Sequence, residues 1–251
     1  MIRLNNVGCG YPKGFKFKNI NLDIGKGEFL GIIGPNGSGK TTVLKTMAGI
    51  IKPFSGSVEI NGRKISEIDI FQRGQLISYV PSETLFDFPF TVEQVVIMGR
   101  NPYLGRFKKE TDRDMEIARW AIEITGCEDI INRKINSLSS GEKQKVLLSR
   151  AICQQSEVML LDEPSSHLDI NHIKEVFSLL KKLVSEGLTV VCVLHDLNLA
   201  MSYCDNIAAI KKGEIKFKGN PKKIVKEKVI EKIYGKDIEI TDIKGRPFII
   251  L

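Results

Sequence analysis

GPNGSGKTT, residues 34–42, lies between the apolar run FLGII (29–33) and the stretch TTVLKTMAGI (41–50), which has helical periodicity. Glycines at 34, 37 and 39 let the backbone curl so that several N–H groups point at one centre. The dipole of the following helix adds to the same field. This spacing, G-x-x-x-x-G-K-[ST] between a strand and a helix, predicts a phosphate loop. Lys40 is placed to reach the β- and γ-phosphates of a nucleoside triphosphate, and the Thr41 hydroxyl to ligate magnesium. Gly34, Pro35, Asn36, Gly37, Ser38, Gly39, Lys40, Thr41 and Thr42 are therefore candidate nucleotide-binding residues.

VMLLDEP, residues 158–164, is an apolar strand ending in two acids. A carboxylate at a strand's carboxyl end is where a magnesium-linked Asp sits in P-loop ATPases, which gives Asp162 that role. The adjacent Glu163 is read as the base that polarises the attacking water. His195 follows the strand TVVCVL directly and precedes Asp196, a natural N-cap. Its place at the same sheet edge as the loop and the acids makes it a candidate γ-phosphate contact and, with Glu163 and Lys40, a candidate catalytic residue. A small-molecule kinase would need a phosphate-acceptor pocket, of which the sequence carries no sign, so hydrolysis is the expected outcome.

The chain has 251 residues, enough for one large domain or two small ones, with the composition of an ordinary globular protein. No apolar run approaches the length of a membrane span, and MIRLNNVGCGY lacks the pattern of a secretory signal, so a cytosolic chain is expected. Cys9, Cys127, Cys153, Cys192 and Cys204 form an odd set without a CxxC pair, which argues for core residues rather than disulfides or zinc. Much of the net charge of +7 falls between Lys211 and Lys236, at helical spacing. It reads as a solvated helix face rather than a nucleic-acid surface, and no nucleic acid is expected. Anionic lipid headgroups or the loops of a membrane partner form a third reading.

Short strands separated by Gly and Asn turns (IRLNNV, FKNINLDI, FLGIIG, SVEING) fill the first sixty-five residues, interrupted by one helix. Residues 91–120 turn helical, as in TVEQVVIMG and DRDMEIARWAIEITG, and read as a helical insertion. After it, strands alternate with helices, which predicts a mainly parallel sheet covered on both faces with ligands at the carboxyl ends of its strands. The tail offers one helix, PKKIVKEKVIEKIYG, and two short strands around Lys244, Gly245 and Arg246.

SLSSGEKQ, residues 137–144, supplies a second helix N-terminus fitted to an anion, with the hydroxyl of Ser139 and the amide of Gly141. The phosphate loop surrounds a triphosphate from one side only, and a γ-phosphate leaves oxygens exposed on the other. Spacing alone does not say whether SLSSGEKQ reaches them within one chain or from another copy.

LSSGEKQKVLLSRA ahead of VMLLDEPSSHLD, with GPNGSGKTT before and VLHDLNLA after, resembles the ATP-binding subunit of ABC transporters over essentially the whole chain. The resemblance implies an α/β fold. It would have a P-loop nucleoside triphosphate hydrolase core with a mainly parallel sheet, an N-terminal antiparallel β subdomain and an inserted helical subdomain. A single domain over 1–251 is expected, with the core and antiparallel β at about 1–82 and 145–220. The helical subdomain falls at about 83–144, and a C-terminal helix and hairpin extension at about 221–251. It further implies that two ATP molecules, with magnesium, are sandwiched in a head-to-tail dimer. Ser139 and Gly141 would face the opposite subunit's nucleotide, Asp169 in SSHLD would reach across the same interface, and Tyr11 in CGYPKG would stack on adenine.

FTVEQVVIMGRNPYLGRF resembles the helical region of type II importer ATPases that serve iron–siderophore, haem and cobalamin uptake. The implied partners are integral membrane permease subunits and, indirectly, a solute-binding protein, with the chain held at the cytoplasmic face of the membrane. The alternative is a soluble ABC ATPase without a permease, such as the iron–sulfur-assembly type. Two departures stand out. Ser140 occupies a position where many members carry glycine, and YVPSE places Ser82 where the family usually has the glutamine that contacts magnesium and the attacking water. Serine is too short for the same direct contact, and Ser82 is a candidate magnesium residue only through a water bridge or with Glu83 swinging in to compensate.

Overall fold

The computed structural model describes residues 1–250 apart from 12, 13, 15, 83, 85, 87, 106–108, 167, 236, 237, 244 and 245. Three strands come first, β1 (Ile2–Gly10), β2 (Lys16–Ile24) and β3 (Phe29–Ile33). Helix α1 (Lys40–Met47), strands β4 (Ser55–Ile60) and β5 (Arg63–Lys64), helix α2 (Ile70–Leu76) and strand β6 (Ile77–Val80) follow. The helical block holds α3 (Val92–Ile97), a 3-10 helix at Met98–Tyr103, and α4 (Asp112–Ile124). Next come α5 (Ser140–Cys153), β7 (Val158–Asp162), α6 (Ile170–Ser185), β8 (Thr189–Val193) and α7 (Leu197–Tyr203). The chain closes with β9 (Asn206–Lys211), β10 (Glu214–Gly219), α8 (Pro221–Lys226), α9 (Val229–Tyr234), β11 (Glu239–Ile243) and β12 (Arg246–Ile250).

Every residue of β3, β7 and β8 is buried, as their unbroken apolar runs require of strands covered on both faces. They form the centre of a six-stranded sheet in the order β10-β9-β3-β8-β7-β6, in which β9, β3, β8, β7 and β6 run parallel. Alternation along these strands divides the core. Leu30, Ile32, Leu160 and Val193 face α1 and a second, antiparallel sheet of order β2-β1-β4-β5. Phe29, Ile33, Met159, Leu161 and Cys192 face the helices, including the block from α3 to α5. All five cysteines are free and buried. No helix among the described residues is long and apolar enough to cross a membrane.

The C-terminal third departs from the expectation in two places. The basic segment from Lys211 is not one helix face, because β10 occupies its first part as an edge strand with alternating exposure. The single tail helix is two, broken at Lys228, whose φ of 51° no helix accommodates. Lysines and glutamates fit a solvated helix face and a solvated edge strand equally well, so charge did not distinguish the two. Strands β11 and β12 do pair, although Lys244 and Gly245 between them, and Glu83 as a partner for Ser82, lie outside the described residues.

Candidate active site

Parallel pairing brings the carboxyl ends of β3, β8 and β7 to one edge in that spatial order. The phosphate loop therefore lies beside Leu194 and His195, with Asp162 and Glu163 next along. The loop's glycines are dictated by close approach. A Cβ at Gly34 would stand 2.1 Å from the Ile210 carbonyl, and one at Gly39 2.6 Å from the Phe17 ring, at a φ of 102° that caps α1.

Lys40 is 5% exposed, and its Nζ donates to the carbonyls of Gly34 at 2.8 Å and Pro35 at 3.2 Å. Burial lowers its pKa, while Glu163 and Asp162 pull it back up. Thr41 donates its hydroxyl to Asp162 Oδ1 at 2.9 Å, and the Tyr79 hydroxyl lies 3.3 Å from Asp162 Oδ2. Asp162 is 2% exposed, and burial pushes its carboxyl above the usual range against the hydrogen bond from Thr41. Glu163 stands at a φ of 53°, and its amide donates to the Val193 carbonyl at 3.2 Å. His195 Nε2 is 2.5 Å from Glu163 Oε1, so the histidine is paired with the glutamate across the cleft.

A cleft of 470 Å3 opens above these groups, lined by Tyr11, Phe17, Asn36, Gly37, Gly39, Lys40, Thr41, Thr42, Glu163 and His195. Its donor set fits a triphosphate with a divalent cation. Ser38 Oγ is buried without a hydrogen-bond partner, α1 points its N-terminus inward, and Thr41 with Asp162 presents a hydroxyl and a carboxylate to one point. Ser82 is half-buried two residues beyond β6 and does not line the cleft.

Ser139 and Gly141 lie elsewhere. They line a separate 930 Å3 cleft with Gly126, Lys145, Asp169 and His172, and no residue borders both clefts. Ser139 caps α5 through a reciprocal pair, its Oγ accepting from the Glu142 amide at 3.2 Å and its amide donating to Glu142 Oε2 at 2.7 Å. Asp169 caps α6, accepting from the amides of Asn171 and His172, and is paired with His172 Nδ1 at 2.6 Å.

Two residues bordering the site escape sequence reasoning. Tyr79 reaches Asp162 only because β6 pairs with β7, a register no local pattern announces. Phe17 is wedged against both Gly39 and Gly213, and the only hint of it is an apolar position where β2 otherwise alternates.

A phosphate loop turning into a helix beside a strand that ends in a buried, hydroxyl-bonded aspartate defines a P-loop nucleoside triphosphatase. Comparison narrows the class. Residues 17–166 match the family model described as ABC transporter, and the chain belongs to that family as an ATP-binding and ATP-hydrolysing cassette. It is 34% identical over 252 residues to the petrobactin import ATP-binding protein of Bacillus anthracis, covering 99% of this chain and 92% of that one. Among solved structures it is similar to the inward-facing conformation of an ABC transporter described as metal-chelate type, with a TM-score of 0.84 and 28% identity over 99% of this chain and 95% of that one. It is also similar to a dimeric, post-hydrolysis ATP-binding cassette bound to ADP and phosphate, with a TM-score of 0.76 and 30% identity over 88% and 98% of the two chains.

Proposed function

We propose that the chain energises uptake of an iron–siderophore, haem or cobalamin-type solute. It would do so as a head-to-tail pair seated at the cytoplasmic face of the membrane on a separate permease, which a solute-binding protein supplies. The near end-to-end likeness to a petrobactin import subunit carries the import reading. The phosphate loop and SLSSGEKQ line separate clefts of one chain, which supports a pairing in which each faces a nucleotide held by the other copy.

In this mechanism Lys40 leaves the carbonyls of Gly34 and Pro35 for the β- and γ-phosphate oxygens. Thr41 and Asp162 hold magnesium, which supplies neutralisation of the phosphate charge. Tyr11 stacks on adenine. Glu163 takes the proton of the attacking water, and His195 orients that carboxylate and meets the γ-phosphate. Ser139, through its hydroxyl, and Gly141, through its amide, face the nucleotide held by the other copy, with Asp169 beside them. Two anionic γ-phosphates draw the copies together, and hydrolysis with phosphate release removes the attraction. The permease follows as a bistable element biased by nucleotide.

Fractionation of native cells tests the importer reading. The chain should sediment with membranes and leave them in detergent together with a polytopic protein. A chain that stays in the supernatant with no such partner would favour the soluble, permease-free ATPase instead.

A further inference from the structure

The turn that carries His195 is tied to the far end of the chain by a series of hydrogen bonds. The histidine is exposed, so its 2.5 Å approach to Glu163 depends on how the backbone is held on either side of it. On the side before it, the Leu194 amide donates to the Ile32 carbonyl at 3.0 Å. On the side after it, Asp196 caps α7, its Oδ1 accepting from the amides of Asn198 at 2.7 Å and Leu199 at 3.2 Å. A helix of seven residues does not hold its own position, and the element that α7 packs on most is β12, the last strand of the chain.

Asn198 makes the junction. Its Nδ2 donates to the Ile249 carbonyl at 3.0 Å, and its Oδ1 accepts from the Ile249 amide at 2.8 Å. A side-chain amide carries a donor and an acceptor as a peptide unit does, so Asn198 pairs with Ile249 as a neighbouring strand would. Ile249 faces Ile240 across the hairpin of β11 and β12, and its side chain is buried in the core that Leu197 and Ala200 share. A two-stranded hairpin is marginal by itself. The hairpin and the short helix therefore hold each other, and what they hold is the turn behind the cleft.

We propose that Asn198 is a positioning residue for hydrolysis, which clips α7 to β12 and so fixes the turn that aims His195 at Glu163. The C-terminal hairpin then supports the reaction although none of its described residues lines the cleft. The inference rests on the reading of His195 and Glu163 as the catalytic pair.

The test compares the full chain with Asn198→Leu, which removes both bonds at nearly the same size, and Asn198→Asp, which keeps the acceptor and loses the donor. Phosphate release from ATP, calorimetric titration with magnesium and ADP, and amide hydrogen exchange at Ile249 are measured for each. ADP has no γ-phosphate for His195 to meet, so its affinity should be unchanged, and its stoichiometry counts the chains with an intact cleft. Phosphate release per ADP-binding chain should fall about tenfold in Asn198→Leu and by less in Asn198→Asp, the scale of a slightly misplaced reacting group. Exchange at Ile249 should be faster in both variants. If Asn198→Leu does not fold, Asn198→Asp is judged on the same criteria. Unchanged phosphate release per ADP-binding chain would overturn the proposal and make the clip merely structural. An ADP affinity that falls in step with turnover would overturn it too, since the clip would then act on the whole cleft. His195→Ala separates the two readings. Undiminished hydrolysis in that variant would overturn the role of His195 itself, whereas hydrolysis lost there but kept in both Asn198 variants would overturn the clip alone.

Discussion

Glu163 stands in the left-handed region at a φ of 53°, held there by its amide bond to Val193 and its side-chain contact with His195. A non-glycine residue in that conformation costs energy that the surrounding structure must offset, and it aims the carboxylate into the cleft rather than along β7. Glu163→Gln keeps the shape and removes the proposed base. Phosphate release should fall by at least about a hundredfold while ATP affinity holds, and retained hydrolysis would dismiss Glu163 from that role. Lys40→Ala should weaken binding and turnover together, because in the proposed mechanism Nζ moves from the loop carbonyls to phosphate. Ser82 lies outside the cleft's lining. We expect Ser82→Gln to raise the ATPase rate of the assembled transporter; an unchanged rate would mean that water or another side chain already fills the gap.

The helical block is anchored by a buried ion pair. Arg100 Nε donates to Asp114 Oδ1 at 2.9 Å, the two side chains 7% and 10% exposed, and Arg100 Nη1 also donates to the Cys153 carbonyl at 3.0 Å. Burial alone would raise the Asp114 carboxyl, but the hydrogen bonds from Thr111 and the Arg100 guanidinium outweigh it and hold it below the usual range. A depressed carboxyl contributes stability that is complete above its unfolded pKa of about 3.9 and is lost as pH falls through the lower folded value. Asp114→Asn should therefore cost about 3 kcal/mol at neutral pH, seen in urea unfolding. It should also flatten the fall in melting temperature that wild type shows on acidification below about pH 4. An unaltered acid profile would mean that the pair is not what titrates. The elements that carry chemistry were the legible ones, since FLGII, VMLLD and TVVCV are short apolar runs bounded by turn residues, as doubly covered strands are. Strand β10 and the break at Lys228 were not, because a lysine-rich surface has no period strong enough to separate edge strand from helix. Tyr79 was hidden for a different reason, its contact being made by the neighbour relation of β6 and β7 rather than by any local pattern.

Across the whole molecule, the two clefts proposed to face nucleotide have no lining residue in common, one above the carboxyl edge of the parallel sheet and one at the N-terminus of α5. The likeness to a dimeric cassette bound to ADP and phosphate fits an arrangement in which each completes the other's site in a second copy. The central claim is that the triphosphate joins two copies, and it is tested most directly by a structure of Glu163→Gln saturated with ATP and magnesium. The account predicts Ser139 Oγ of one copy within about 3 Å of the terminal phosphate held by residues 34–42 of the other. A structure in which Ser139 points into solvent, distant from both nucleotides, would contradict it.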